Sequence, residues 1–500
     1  MLTGGEERYD VIVVGGGNAA LCAAVAARHD GASVVVLERA PQAERGGNST
    51  FTDGVVRFAY DGAGDIIELS GDLTAEEIAT SDFGVYPADQ FFDDIARVTE
   101  NRTDPDLCEI VVKQSKAALF WLKDQGVRFM PNYGRQAYRI GGRFKFSGGG
   151  PMVVRGGGPG LMEALYATAE KLGVHVVYNA WVHDLVTEGA RVGGVLARID
   201  GEDRQLRSRA VVLACGGFEA NAEWRARYLG KGWDLAKVRG SKYNTGDGLA
   251  MALKLRAQPY GHWSGCHAVS WERYAADFGD PAITPNYQRH SYPFGIMVNA
   301  RGRRFLDEGA DIRNYTYAKY GHIVLEQPGQ FAYQIFDAKI SGLLREEYRT
   351  KQVTKVTANS IEELAEKLED VDTAEFLKTV REFNAAVQTD RLFDPSIKDG
   401  RRAALEIPKS NWAQTIETPP FEAYAITCGI TFTYGGLRIN TEGCVIDTNH
   451  TPIQGLYAAG EIVGGIYYFN APGGSGLVSG AVFGRIAGAS ASRFARASGA

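Results

Sequence analysis

Six small or amide residues in a row, Gly15-Gly16-Gly17-Asn18-Ala19-Ala20, stand between the apolar run Val11 to Val14 and an alanine-rich stretch. A second apolar run follows and ends at Glu38. Read as strand, turn, helix, strand and acid, this spacing is suited to holding the pyrophosphate of a dinucleotide on the N–H groups of a helix N-terminus. Gly15 permits the tight turn, and Gly17 lets backbone approach phosphate. Ala20 lets helix and strand pack closely, and Glu38 can bond ribose hydroxyls. An ordinary glycine-rich turn would not call for the acid at the end of the second strand.

The elements around that turn belong to a large chain. Five hundred residues suggest two or three domains. A hydrophobic content of 45% and a charged content of 23% are those of a soluble globular protein. The formal net charge is −6 with no basic block, which argues against nucleic acid as a partner. The opening MLTGGEERYD has no basic or apolar region of a secretory signal. No run reaches ~18 apolar residues, so no membrane span is expected. The six cysteines are scattered without a CxxC pair, which argues against a metal centre and fits a reducing cytoplasm.

Along the chain, residues 9–60 read as βαβ and a polar loop, and 75–130 as mostly helical. Residues 135–160 read as a basic glycine-rich loop, Leu161–Leu172 as helix, and HVVYNAWVHDLV as strand. A hairpin with Gly201 in its turn comes next, then helix–loop–helix around TGDG (residues 221–260). Residues 262–350 are rich in Trp, Tyr, Phe and His and lack a βαβ rhythm, whereas 355–405 are polar, helical and charge-mixed. From Gly435 the αβ style returns. The dinucleotide unit is therefore expected to be discontinuous (1–261 and 433–500), with an inserted capping unit over 262–432.

Seven motifs in one order resemble the fumarate reductase/succinate dehydrogenase flavoprotein superfamily. They are GGGNAA with Glu38, GGNS at Gly46–Ser49, VVLACGGFEAN at Val211–Asn221, TGDG at Thr245–Gly248, VNARGRRFLDE at Val298–Glu308, GLYAAGE at Gly455–Glu461 and PGGSGLVSGAVFGRIAG at Pro472–Gly488. GGNAALCAA, SYPFGIMVN and DEGADIRNYTYAKYG resemble its tricarballylate dehydrogenase branch. The resemblance implies an α/β fold, a discontinuous Rossmann-like FAD-binding domain with an inserted α+β cap. It also implies FAD rather than NAD. Two further glycine-rich strand ends, at Cys215-Gly216-Gly217 and Ala459-Gly460-Glu461, could close over a cofactor of that size.

In the family, the segment matching Gly47, Asn48 and Ser49 touches pyrophosphate and flavin. The segment matching Ser475, Gly476, Leu477 and Val478 offers amides to the flavin pyrimidine. The position of Val182 reads adenine, and that of Glu461 contacts ribitol or ribose. Asn18, Ala19, Arg39, Gly54, Ala214, Gly216, Asn244, Thr245, Asp247 and Gly460 are counted with these cofactor contacts. Covalent attachment is not expected, because GGNSTFTDG holds no histidine.

Such flavoproteins desaturate or reduce a C–C bond by hydride transfer at flavin N5, with a side chain moving the second proton. By its spacing from Arg304-Phe305, Arg313 matches the family's proton-transfer arginine. Arginine is all but permanently protonated, so oxidation would need a relay through Glu308 or Asp311. Otherwise Arg313 is a plain ion-pair partner of one of those acids. His267 matches the histidine that binds a substrate carboxylate. Tyr292, Tyr315, Tyr317 and Tyr320 surround the arginine, with Tyr292 and Tyr317 as candidate phenol acid/bases. His262, His290, Trp263 and Trp271 read equally well as cap core.

Two positions depart from the family: Phe432 stands where a substrate-binding histidine is expected, and Ala471 where a carboxylate-clamping arginine is expected. Arg143, Lys145 and Arg155 are alternative grips, or ordinary loop charges. The leading expectation is a cytoplasmic FAD-dependent dehydrogenase acting on a carboxylic acid of the tricarballylate kind, discharging to a quinone, a partner protein or oxygen. The alternatives are a desaturase of cyclic ketones and a flavin-bearing electron-transfer subunit. No metal is expected.

Overall fold

The computed structural model describes residues 8–146, 149–283 and 286–498. Most of the opening segment read for a secretory signal (residues 1–7), and two residues of the basic loop (147 and 148), therefore lie outside the described residues.

The fold is mixed α/β, built on two large sheets. The first has eight strands. At its centre β1 (Arg8–Val14) pairs in parallel with β2 (Val34–Leu37) on one side and with the strand Glu202–Leu213 on the other. Val11 to Val14 and Val34 to Leu37 are buried throughout, as expected where a parallel sheet is covered on both faces. The strand Pro452–Ala458 joins the same sheet beside Leu213, about 240 residues further along the chain. The expected hairpin forms between Arg191–Ile199 and Glu202–Leu213, turning through Asp200 and Gly201, both at positive φ.

Helix α1 (Asn18–His29) lies against the C-terminal helix Ser475–Ala497. Glycine is required at that contact. A Cβ on Gly484 would sit 2.5 Å from Ala19 O, and one on Gly488 2.1 Å from Ala23 O. The run GAVFGRIAG thus brings the last helix onto the first at backbone distance, and with it the Pro472–Gly474 loop onto the first turn.

The second sheet is organised by one 17-residue strand, Phe421–Leu437, to which Lys237–Val238, Pro259–Glu272, Ala332–Phe336 and Lys355–Ala358 all pair. Pro259–Glu272 and Phe421–Leu437 run past residues 262 and 432 without a break. A register shift between His267 and Ala268 leaves His267 opposite Phe432. The helices Ile361–Lys367 and Thr373–Ala386 close one end of this sheet, burying Leu364, Phe376, Val380 and Phe383 and leaving their charges outside.

Three local expectations need correction. HVVYNAWVHDLV is two strands, His175–Val177 and Ala180–Glu188, broken where Asn179 takes φ 54°. The basic loop contains a hairpin, Ala137–Ile140 with Arg143–Phe146, and the strand Met152–Val154. The helix after Asn221 lasts three residues before Arg225–Leu229 wind into a π turn.

Candidate functional site

One cavity runs from the Gly15–Asn18 turn, along the ends of β1 and β2, to the aromatic part of the second sheet. At its first end Gly15 takes φ +107°, and a Cβ there would lie 2.4 Å from Ala214 O. Gly17 is different: a Cβ would meet nothing nearer than Ser49 Oγ at 3.4 Å. Helix α1 has glycine at its N-cap and no acid in its first turn, so its positive dipole end faces the cavity with no negative charge of its own helix to answer it. Asn18 N donates to Ser49 Oγ (3.0 Å), and Asn18 Nδ2 to Leu477 O (2.8 Å). These bonds clamp the turn between the Gly47–Phe51 segment and the last helix.

Glu38 is buried on the cavity wall, accepts from Ala40 N (2.8 Å), and has its pKa pushed up to about 6 by burial. Arg39 ion-pairs with Asp247 (2.6 Å), donates to Thr245 Oγ1 (2.6 Å) and lies over the Trp181 ring. Val182, Ala214, Gly216, Asn244 and Gly460 line the same stretch, as do Ala19, Gly47, Asn48, Gly476 and Leu477. Asn48 and Asn244 both donate to Glu219 Oε1 at 2.6 Å. Glu461 accepts from Thr433 N (2.9 Å) and faces Glu219. Burial pushes Glu219 up, while burial and then the charge of Glu219 hold Glu461 well above the usual carboxylate range, so Glu461 keeps a proton that it shares with Glu219.

Four residues expected at the cofactor do not line the cavity. Ala20 and Val478 are fully buried helix core. Gly54 accepts from Val154 N (2.9 Å) and anchors the Met152–Val154 strand. Ser475 turns inward, both its N–H and its hydroxyl donating to Pro472 O. The loop before it is held by Arg57, whose Nε donates to Gly473 O (2.8 Å).

At the other end Tyr317 touches three groups: His267 edge-on at 4.9 Å, His290 edge-on at 5.1 Å, and the Arg313 guanidinium over its ring at 5.2 Å. Phe432 stacks on His267 at 4.9 Å. Arg313 Nε and Nη2 are buried without a hydrogen-bond partner, as are His267 Nδ1 and His290 Nε2. Burial, then the charge of Arg345, lowers Arg313 to about 10, so it stays cationic at neutral pH. Burial, then neighbouring arginines, hold both imidazoles well below their ordinary range, hence neutral.

The acids expected around Arg313 are engaged elsewhere. Glu308 is tied to Arg304 (2.6 Å) and Met297 N, and Asp311 to Arg97 and Lys398. Neither a relay nor a bridging ion pair with Arg313 is formed. Tyr292 does not line the cavity; its hydroxyl bonds Thr316 Oγ1 (2.7 Å) and its ring packs on Tyr320. Ala471 is buried outside the cavity, whereas Phe432 is on its wall. Arg143, Lys145 and Arg155 also lie outside it, Arg155 paired with Asp72 at 2.7 Å. His290 proves to be cavity wall rather than core. Sequence reasoning missed Arg239, Gln288, Asp53 and Gln136, which also line it. Only the adjacency of Arg239 to the TGDG segment hinted at its place.

A family model described as an FAD binding domain matches residues 10–477. The chain belongs to this FAD-binding family. The family's cofactor is FAD, and the cavity fits it: glycine where a side chain would intrude, a helix N-terminus with no acid in its first turn, and an acid at the end of β2. NADH:fumarate oxidoreductase of Klebsiella pneumoniae (strain 342) is 30% identical over 98% of this chain and 48% of its own length. The chain thus spans about half of that relative. The 3-oxosteroid 1-dehydrogenase of Mycolicibacterium smegmatis is 26% identical over 97% of both chains. A flavocytochrome c3 fumarate reductase in its open conformation superposes with a TM-score of 0.72 at 26% identity, covering 99% of this chain and 79% of that one. The structures share the FAD-binding architecture. Among the described residues no helix is long and apolar enough to cross a membrane, and no group of side chains is arranged for a metal ion.

Proposed function

We propose that this chain is an FAD-dependent oxidoreductase that desaturates, or in reverse reduces, a C–C bond in a carboxylic acid of the tricarballylate kind. In this reading residues 1–261 and 433–500 carry the flavin, held without a covalent link, and 262–432 cap it. The observation that carries the reading is Arg313: a buried guanidinium with Nε and Nη2 unpartnered, in the same cavity as the Gly15–Gly17 cradle.

Bound FAD would supply the hydride exchange with a substrate carbon. Arg313 would move the proton at the adjacent carbon through one of its free N–H groups. As a cation it gives a proton readily. Taking one requires its neutral form, which a pKa lowered to about 10 makes more accessible than in an ordinary arginine. Neutral His267 would orient a substrate carboxylate through a ring N–H. The wall of Phe432, Tyr434 and Tyr467 would keep water from the reacting carbons. Electrons would leave to an external acceptor: a quinone, a partner protein or oxygen.

One observation favours a second reading, desaturation of a cyclic ketone. The Tyr434 hydroxyl is buried in the cavity without a partner and could donate to a carbonyl, and one relative is a 3-oxosteroid dehydrogenase. Anaerobic mixing of the holoprotein with each substrate class, followed by flavin absorbance, separates the two. Bleaching by tricarballylate is expected. Bleaching by a cyclic ketone and by no carboxylic acid would overturn the carboxylate reading.

A further inference from the structure

We infer that Arg239 is the seat of a second carboxylate, so that the cavity takes a molecule with at least two: one oriented by His267 beside Arg313, and one held by Arg239. The inference rests on the carboxylic-acid reading above and specifies it.

Arg239 follows the short strand Lys237–Val238, which pairs in parallel with Gly429 and Ile430. Its own N–H donates to Ile430 O at 2.8 Å. That bond sets the residue beside Thr431 and Phe432, and all three line the cavity. The side chain is only 8% exposed, and Nε is buried with no hydrogen-bond partner. Among the described residues, the one carboxylate paired with it, Asp53, stays 3.9 Å away, beyond hydrogen-bond reach. Asp53 is committed elsewhere: Arg135 pairs with it at 2.6 Å and Gln288 Nε2 donates to it at 2.6 Å. Arg239 is therefore steadied by a charge it does not bond.

A buried guanidinium with unmet donors is costly unless a partner supplies the acceptors. This cavity holds two such guanidiniums, since Arg313 makes no ion pair among the described residues and leaves Nε and Nη2 empty. Both act on the same imidazole: after burial, Arg313 and then Arg239 are the charges that keep His290 neutral, and Arg239 does the same for His267. Both guanidiniums line this one cavity with His267 and His290, and while Arg313 serves the proton, the free Arg239 Nε is matched by a planar anionic acceptor such as a carboxylate. A ketone, or a monoacid oriented by His267, would leave Arg239 unanswered. The same arrangement accounts for the apolar residues at Phe432 and Ala471, because the second positive charge enters from a different strand.

Three ligands on one carbon frame test this: tricarballylate, glutarate (the same chain without the central carboxylate) and butyrate (a single carboxylate). Binding to the FAD-loaded protein is measured by anaerobic equilibrium dialysis, independently of turnover. Wild-type protein is expected to bind glutarate at least tenfold more tightly than butyrate. Arg239→Met should abolish that preference, weakening glutarate and tricarballylate at least tenfold while leaving butyrate unchanged. Arg239→Lys should restore part of it. Equal affinity of wild-type protein for glutarate and butyrate overturns the inference, and needs no variant to fold. So does a glutarate-to-butyrate ratio that Arg239→Met leaves intact at full FAD content. If the ratio behaves as expected but no acid bleaches the flavin, the proposed reaction fails and the second carboxylate seat stands.

Discussion

Gly15 and Gly17 sit two residues apart in one turn, yet a methyl group added to each has opposite expected effects. At Gly15 the new Cβ would lie 2.4 Å from Ala214 O and 2.9 Å from its carbonyl carbon, at φ +107°. Ala214 N donates to Val14 O, so the clash cannot relax without parting β1 from its neighbour. The backbone conformation costs about 1–2 kcal/mol and the overpacking about 1–3 kcal/mol more. Gly15→Ala should therefore destabilise the protein by roughly 2–5 kcal/mol. Gly17 takes φ −79° and ψ −175°, which any residue adopts, and its Cβ would meet only Ser49 Oγ and Gly46 O, at 3.4 and 3.5 Å. Gly17→Ala should leave the FAD-free protein as stable as before, or raise it by about 0.4–1 kcal/mol through the unfolded chain. Its methyl group, however, stands where a pyrophosphate must approach the helix N-terminus. Losing about two charge-assisted bonds at ~1.5–3 kcal/mol each would weaken FAD binding by ~10²–10⁴-fold. Urea midpoints of the FAD-free proteins and titration by quenching of FAD fluorescence measure the two effects. Wild-type FAD affinity in Gly17→Ala, or undiminished stability in Gly15→Ala, would refute the reasoning.

Arg313→Lys should keep FAD but lose about 10²-fold or more in turnover, because the proton donor loses its geometry. In the wild type, desaturation should quicken about tenfold per pH unit toward pH 10, as Arg313 acts through its neutral form; a rate flat between pH 7 and 9 would count against Arg313 as the base. His267 and His290 are buried neutral, with folded pKa values below 6.5, so the unfolded chain binds more protons and stability falls as pH drops below 6.5. Each contributes a slope of up to about 1.4 kcal/mol per pH unit, reached well below pH 6.5, so urea midpoints at pH 6.5 and 5.5 should show a loss shallower by about 1 kcal/mol in His290→Gln. Tyr292→Phe should leave turnover unchanged and cost about 1 kcal/mol of stability, the worth of its bond to Thr316; a large loss of turnover at full FAD content would return Tyr292 to the mechanism.

Much of the first sheet was legible in the sequence because its signals are local. The Val11–Val14 and Val34–Leu37 runs, the turn between them and the Asp200-Gly201 hairpin depend on neighbours a few residues away. Asn179, by contrast, breaks an apparently continuous strand by taking a left-handed conformation that the apolar pattern around it does not reveal. The expectation of Tyr292 in the site failed for a related reason. It shares a sequence neighbourhood with His290, but the tight turn at Tyr292–Phe294 sends its ring away from the cavity and into the core around Tyr320.

The sequence by itself determined which backbone could receive a dinucleotide, since glycine at a tight turn, small residues in a helix and an acid at a strand end act through covalent geometry and short range. The tertiary structure alone decided which charges face that dinucleotide's far end. Glu308 and Asp311 lie close to Arg313 in sequence yet are committed to Arg304, Arg97 and Lys398. Arg239 and His290 come from distant segments, brought together by the pairing of Phe421–Leu437 with its neighbours and by bonds from Val238 N to Asp277 O and from Gly279 N to Gly240 O. A guanidinium's role is set by which carboxylates reach it first, and that is a property of three-dimensional packing that residue spacing does not encode.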